Sequence, residues 1–294
     1  MRSASRLYLL LLLCITAACD TEDRPSLHGY LYFAAGNYIG SFDLSDSSSA
    51  AVVNLGDVSI DHLGPFQNDL LITLREYSNG REVSRILRFN VRRSETFTLF
   101  PGLDAEFLPA DSVIIYDDGL NLLATHRANS YNDETLIDAH GRNARPSVVV
   151  LSDAEILYNQ LVEDEVLIQR YDSITNTSSP LPALSRLCSL NAAVWLPDRQ
   201  RLLCRVRRDE SGLGNYQLVS LDGQQVSPVG LPADRKFRAL GYLHDQGKIV
   251  LSEVSRSWGG GQPRNAVWIY DLHAKDVWRI ARDQYLGDAV VYRP

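Results

Sequence analysis

Ala193-Val194-Trp195-Leu196-Pro197-Asp198 leads into Arg201-Leu202-Leu203-Cys204: an apolar strand, a Pro-Asp turn and a second apolar strand. The same pattern recurs along the chain. Leu240-Gly241-Tyr242-Leu243-His244-Asp245-Gln246-Gly247 leads into Lys248-Ile249-Val250-Leu251. Ser147-Val148-Val149-Val150-Leu151-Ser152-Asp153 leads into Glu155-Ile156-Leu157-Tyr158, and Glu106-Phe107-Leu108-Pro109-Ala110-Asp111 into Val113-Ile114-Ile115-Tyr116. A weaker copy runs from Leu63 through Asn68-Asp69 into Leu70-Leu71-Ile72-Thr73. A second element follows most copies: an aromatic-rich strand ending in Asp or Asn, a turn, and one more strand. Ile269-Tyr270-Asp271-Leu272 precedes Val277–Ile280, Arg88-Phe89-Asn90 precedes Thr96–Phe100, and Arg170-Tyr171-Asp172 precedes Pro180–Leu184. Helical periodicity is nearly absent, and short apolar runs are broken by Gly, Asp, Asn, Ser and Pro, which signals many short strands with tight turns. Four strands in roughly every 40 to 50 residues make one blade of a β-propeller.

Trp195-Leu196-Pro197-Asp198 and Ile269-Tyr270-Asp271-Leu272 carry a resemblance to the periplasmic TolB-like propeller family, whose blades pair an apolar Pro-Asp-Gly hairpin with an aromatic-Asp strand ending. The resemblance spans most of the chain and implies architecture, since such repeats carry no activity of their own. The ends of the chain fit together. Gly287–Pro294 reads as a first blade strand with no successor, and Gly29–Ala35 as a second strand with no first. Shared in one blade, they would close the ring and remove the exposed edges that invite aggregation. The expected fold is therefore all-β: a β-propeller of six four-stranded blades, closed by the two terminal strands. Residues 117–146 parse poorly and leave five or seven blades open; the competing fold is a pair of β-sandwiches.

The N-terminus reads as an address. Met1–Arg6 carries Arg2 and Arg6, Leu7–Ile15 is almost wholly apolar, and Thr16-Ala17-Ala18 is small. That is the layout of a secretory signal, and its apolar run is short of the ~20 residues that span a bilayer. Ile15-Thr16-Ala17-Ala18-Cys19 resembles the lipobox of bacterial lipoproteins, with Thr16 where leucine is more usual. The resemblance implies cleavage before Cys19 and lipidation of its thiol. The expected divisions are a signal peptide over 1–18, a lipidated tether over 19–28 and the propeller over 29–294. Asp20–Leu27 is eight residues, at most about 28 Å when extended, so the domain would sit close to the membrane. Asp20 resembles an inner-membrane retention signal of enteric bacteria, which leaves inner against outer membrane open.

Loss of Arg2 and Arg6 leaves 27 basic against 36 acidic residues, a formal charge of −9. That disfavours nucleic acid as a partner, because phosphate binding needs a basic surface. It also disfavours docking on anionic lipid, so the Cys19 lipid would be the sole membrane link. Cys188 and Cys204 remain as a candidate disulfide pair, allowed in an oxidising compartment. A regular hairpin of Ala192–Leu196 with Arg201–Val206 puts Cys204 opposite about Ala193. Cys188 then lies ~16 Å away at strand rise, beyond the ~7 Å that a disulfide spans between Cα atoms. The pair should not bridge unless the preceding segment folds back.

Catalytic signatures are missing. His28, His62, His126, His140, His244 and His273 form no HExxH or HxH pair, no CxxC occurs, and no Gly-x-Ser-x-Gly elbow appears. No metal or cofactor is expected. Acidic pairs such as Asp117-Asp118 fall where solvated turns are expected. Ser257-Trp258-Gly259-Gly260-Gly261-Gln262-Pro263-Arg264 joins two strands of the last full blade. Trp and Arg are enriched at binding hot spots, which makes Trp258 and Arg264 candidate partner contacts; the plainer fate of Trp258 is to fold onto its own blade. The function expected is a lipid-anchored periplasmic platform for an envelope protein or glycan, non-catalytic. The alternative is a propeller hydrolase or lyase with a metal or acid–base site at the central channel.

Overall fold

A computed structural model describes residues 26–78, 81–110, 112–117, 123–127, 134–137, 147–163, 165–207, 215–254, 265–284 and 289–292. Cys19, Trp258 and Arg264 lie outside the described residues. Among those described, the strands form six antiparallel four-stranded sheets. Blade one holds β1 (Tyr30–Ala35), β2 (Tyr38–Asp43) and β3 (Ser49–Asn54). Blade two holds β4 (Ser59–Phe66), β5 (Asp69–Ser78), β6 (Arg81–Asn90) and β7 (Glu95–Pro101). Blade three holds β8 (Leu103–Leu108), β9 (Val113–Asp117), β10 (Leu123–Arg127) and β11 (Glu134–Ile137). Blade four holds β12 (Val148–Val150), β13 (Glu155–Val162), β14 (Glu165–Asp172) and β15 (Thr177–Pro180). After the short helix α1 (Pro182–Leu187), blade five holds β16 (Cys188–Leu196), β17 (Arg201–Val206), β18 (Tyr216–Val219) and β19 (Val226–Pro228). Blade six holds β20 (Phe237–Leu243), β21 (Lys248–Val254), β22 (Asn265–Asp271) and β23 (Asp276–Gln284). Finally β24 (Ala289–Tyr292) returns to blade one.

That return is the closure expected from the chain ends. Tyr30 pairs with Tyr292, Leu31 with Val291, Tyr32 with Val290 and Phe33 with Ala289. The first strands of the blades, β24, β4, β8, β12, β16 and β20, pack each on the next, and β20 packs on β24. The arrangement is an all-β propeller.

Burial on both faces explains the unbroken apolar runs. Leu70, Leu71 and Ile72 of β5 are all fully buried. Leu70 and Ile72 pack with Tyr32 and Ile39 of blade one, while Leu71 packs with Phe107 and Ile114 of blade three. A strand alternates its side chains between the two faces of its sheet. A blade squeezed between two others therefore needs apolar residues at both parities. The core is accordingly divided into clusters between neighbouring blades, and one of them joins Leu31 and Phe42 to Val250 and Ile269 across the closure.

The aromatic-Asp ending does two jobs with adjacent residues. Phe42, Phe89, Tyr171 and Tyr270 are buried between blades. The next residue closes the hairpin: Asp43 accepts from the Ser45 N–H at 2.8 Å, Asn90 from Arg93 at 2.9 Å, Asp172 from Ile174 at 2.9 Å and Asp271 from His273 at 2.7 Å. Asx side chains bonding to backbone a few residues ahead are a standard turn device.

Three expectations need correction. Cys188 and Cys204 are disulfide-bonded, with Cα atoms 5.6 Å apart. The strand register explains why: Ser189 pairs with Arg205 but Val194 with Leu203, so four residues on β16 face Cys204 alone. This bulge, with Ala192 at φ 57°, draws Cys188 back toward Cys204. Asp117 is not in a solvated turn but buried at the end of β9 between Leu103 and Leu123. The packed domain also begins before residue 29. Leu27 is buried in the core, and His28 exchanges two backbone hydrogen bonds with the Gln246 side chain, at 3.3 and 2.9 Å. No helix among the described residues is long and apolar enough to cross a membrane.

Candidate functional site

The first strands of all the blades line one cavity of about 520 Å³ at the centre of the ring. Polar residues line it from four of them: Asp61 and His62 of β4, Asp104 and Glu106 of β8, Asn191 of β16 and Arg238 of β20. In a regular strand half of these side chains would turn away. Register shifts interrupt each of the four strands here, between Ile60 and His62, Leu103 and Glu106, Ser189 and Val194, and Ala239 and Gly241. A bulge adds residues on one strand only and re-aims the side chains around it. Asp61 is such an added residue, and so Asp61 and His62 line the cavity side by side.

The acids are concentrated on blades two and three. Asp61 makes an ion pair with Arg75 of β5, which also reaches Glu82 at 2.7 Å. The His62 Nε2 lies 3.2 Å from the Glu106 Oε1, a hydrogen-bond contact across two blades. Gly64 makes this approach feasible. A Cβ at that position would fall 2.6 Å from the Ala105 carbonyl oxygen and 3.3 Å from the Glu106 Oε2. Across the ring, the buried Cys188–Cys204 disulfide stands behind the β16 bulge that carries Asn191 into the cavity. Among the described residues, no three His, Cys, Asp or Glu side chains converge as a metal ion would require.

His28, His244 and His273 are exposed, in keeping with turn positions. The connection bearing Trp258 and Arg264 lies outside the described residues, but its two ends do not. Val254 pairs with Asn265, and their neighbour Glu253 pairs with Phe237 at the start of β20. β21 therefore ends, and β22 begins, on the side of blade six where β20 starts, next to Arg238 of the cavity lining. The channel residues themselves escaped the sequence reading. A signal was present: Asp61, Asp104, Asn191 and Arg238 each stand four or five residues before the last residue of a first strand that ends in an apolar residue.

No protein-family model and no curated protein matches the sequence. Solved structures do match in shape. A chain from the crystal structure of a nidogen/laminin complex has a TM-score of 0.61 at 14% identity, over 89% of this chain and 97% of that one. TolB from Acinetobacter baumannii has 0.63 at 11%, over 89% of this chain and 65% of its own. A TolB-type protein from Agrobacterium tumefaciens has 0.60 at 11%, over 91% and 98%. At such identities the likeness is one of fold.

Proposed function

We propose that this chain is a lipid-anchored envelope protein whose propeller presents a rigid binding face to an envelope protein or glycan. The observation that carries the reading is the closed ring. Its strand ends are fixed by pairing and by inter-blade cores, so loops at the channel rim are held by a preorganised frame, and preorganisation favours binding. The strands that flank Trp258 and Arg264 in sequence, β21 and β22, end and begin on the side of blade six where β20 starts. The disulfide supports export, since such bonds persist in oxidising compartments. Structures with this fold include one of a nidogen/laminin complex, which makes partner binding a natural use of it.

In-cell crosslinking followed by mass spectrometry tests the reading. A recurrent envelope partner should appear, and Trp258→Ala with Arg264→Ala should deplete it. Unchanged capture by that double variant would remove the rim loop from the interface. The anchor is tested by Cys19→Ser, which should release the domain or leave an unprocessed precursor. The seven residues from Asp20 to Ser26 reach at most about 25 Å, so the face would stand close to the membrane.

The His62–Glu106 pair is the one arrangement that favours the second reading, a hydrolase or lyase acting in the channel. A carboxylate beside an imidazole is a general acid–base pairing. Turnover of a glycan or peptide that is abolished by both His62→Gln and Glu106→Gln would establish it.

A further inference from the structure

Strand direction sorts the turns of the ring onto two faces. Within a blade the strands are antiparallel, so the turns after its first and third strands open on one face and the turn after its second strand on the other. β7 ends at Pro101 and β8 begins at Leu103, so neighbouring blades share that polarity. On the first face the turns are two to six residues long. Asx bonds close five of them, at Asp43, Asn90, Asp172, Asp222 and Asp271. The opposite face carries the longer pieces. Nine residues separate β17 from β18 and ten separate β21 from β22, while the β5–β6 pair runs past the Ser59–Arg75 pairing of β4 to Tyr77 and Ser78.

The N-terminal segment leaves the ring on the Asx-turn face. β1 starts at Tyr30, opposite Tyr292 at the end of the first strand β24. Just before it, the Gly29 carbonyl oxygen accepts from the Leu44 N–H at 3.0 Å. His28 is clasped by Gln246 in the turn after β20, and Leu27 is buried with Leu44 and Leu243. Ser26 is exposed. The seven residues from Ser26 back to Asp20 reach at most about 25 Å. To emerge on the opposite face they would have to pass the two outer strands of blade one, ~10 Å, and climb a blade whose six-residue β2 is itself ~20 Å long. That path exceeds their reach.

We propose that the Asx-turn face lies against a lipid surface and that the opposite face points away from it. The inference rests on the lipid anchor at Cys19. The face suits a planar partner, because its turns are short and braced by their own side chains. Among the described residues the two exposed large aliphatic side chains, Ile174 at 68% and Val226 at 47%, both stand on it. Ile174 belongs to blade four, across the ring from the tether on blade one. Each gains by leaving water at the acyl boundary. The opposite face, one blade height farther out, is left open to a partner; it is the face on which β20 starts and the strands flanking Trp258 and Arg264 end and begin.

Two labelled variants test the orientation: Ile174→Cys on the lipid side, and Tyr77→Cys, at a position 79% exposed, on the opposite face. Each adds one free thiol beside the bonded Cys188 and Cys204 and carries an environment-sensitive fluorophore. The lipidated full chain is reconstituted into phosphatidylcholine vesicles that contain a headgroup spin-labelled lipid. The label at 174 should be quenched at least threefold more than the label at 77. Flotation of the vesicles tests the anchor separately: the native chain should float and Cys19→Ser should not. A native chain that fails to float removes the anchor and the orientation together. A chain that floats with equal quenching at the two positions, or with more at 77, keeps the anchor and overturns the orientation. Hydrogen exchange on the unaltered chain decides without any substitution. Vesicles should slow exchange in Ser173–Asn176 and Asp222–Gln225 and leave Glu76–Tyr77 and Arg81–Val83 unchanged; the reverse pattern overturns the proposal.

Discussion

Lys248 is one of three lysines in the chain and the one buried cation among the described residues. Its ammonium lies 3.3 Å from the Asp271 carboxylate and donates to the Gln246 carbonyl oxygen at 3.2 Å. Burial pushes the Asp271 carboxyl upward, but the N–H groups of Ala274 and His273, with Lys248, outweigh it and hold the group below the ordinary carboxylate range. A depressed carboxylate contributes stability above its unfolded pKa and loses it as pH falls through the folded value. Removing one partner of a buried pair leaves the other charge uncompensated. Lys248→Met should therefore cost about 3 kcal/mol, read as a lower urea midpoint at unchanged slope. Tyr242 works in the opposite pH range. Burial, then its hydrogen bond and the charge of Asp198, raise its phenol to about 12 from the ordinary 10.0. The folded state then holds the proton more tightly, so stability falls as pH rises from 10 to 12. Tyr242→Phe should remove that component, and the difference between the two proteins in melting temperature should narrow across this window.

At the scale of one element, β16 decides the most. Extrapolating strand rise along it separated the two cysteines, because the sequence gives no sign that four residues will face one. A bulge depends on what its neighbours across the sheet and the channel require, and those lie on β17 and on other blades. The turn chemistry was legible for the contrary reason. An Asp or Asn that closes a hairpin bonds to backbone only two or three residues ahead, so Asp43, Asn90, Asp172 and Asp271 announce their turns locally. The disulfide joins residues 16 apart, a loop whose closure is worth about 3 kcal/mol in the unfolded chain. Replacing both cysteines with alanine should lower stability by about that amount. Hydrogen exchange should rise most at Leu190–Val194, the part of the channel wall that the bond holds. Uniform exchange across blade five would mean that the bulge is held by packing alone.

At the scale of the whole molecule, two-sided burial made the fold readable and kept the channel hidden. Every blade face meets another blade, so its strands announce themselves as apolar runs, and the unmatched strands at the two ends announce the closure. The channel side chains come from blades whose first strands lie some forty residues or more apart, with no local motif to connect them. Their convergence is a property of the ring, and so is the stability of the ring. β24 supplies the innermost strand of blade one and covers the edge of β1. Ala289 belongs to the core between blades one and six, and Val291 packs against it. Gly241 of β20 shows how close that fit is: a Cβ there would lie 2.5 Å from Val291 Cγ2. Ending the chain at Gln284 should thus do more than delete one strand. It would leave the row of backbone groups on β1 unpaired, an edge that templates aggregation. It would also uncover the apolar seam around Leu31, Phe33 and Leu243. The expected outcome is a truncated chain that elutes as oligomers in size-exclusion chromatography. Its urea unfolding should lose its single transition, and adding a synthetic peptide of Gly287–Pro294 should restore part of the monomer. A monomeric truncated chain with an unchanged midpoint would show that the inter-blade cores hold the ring without its terminal strand.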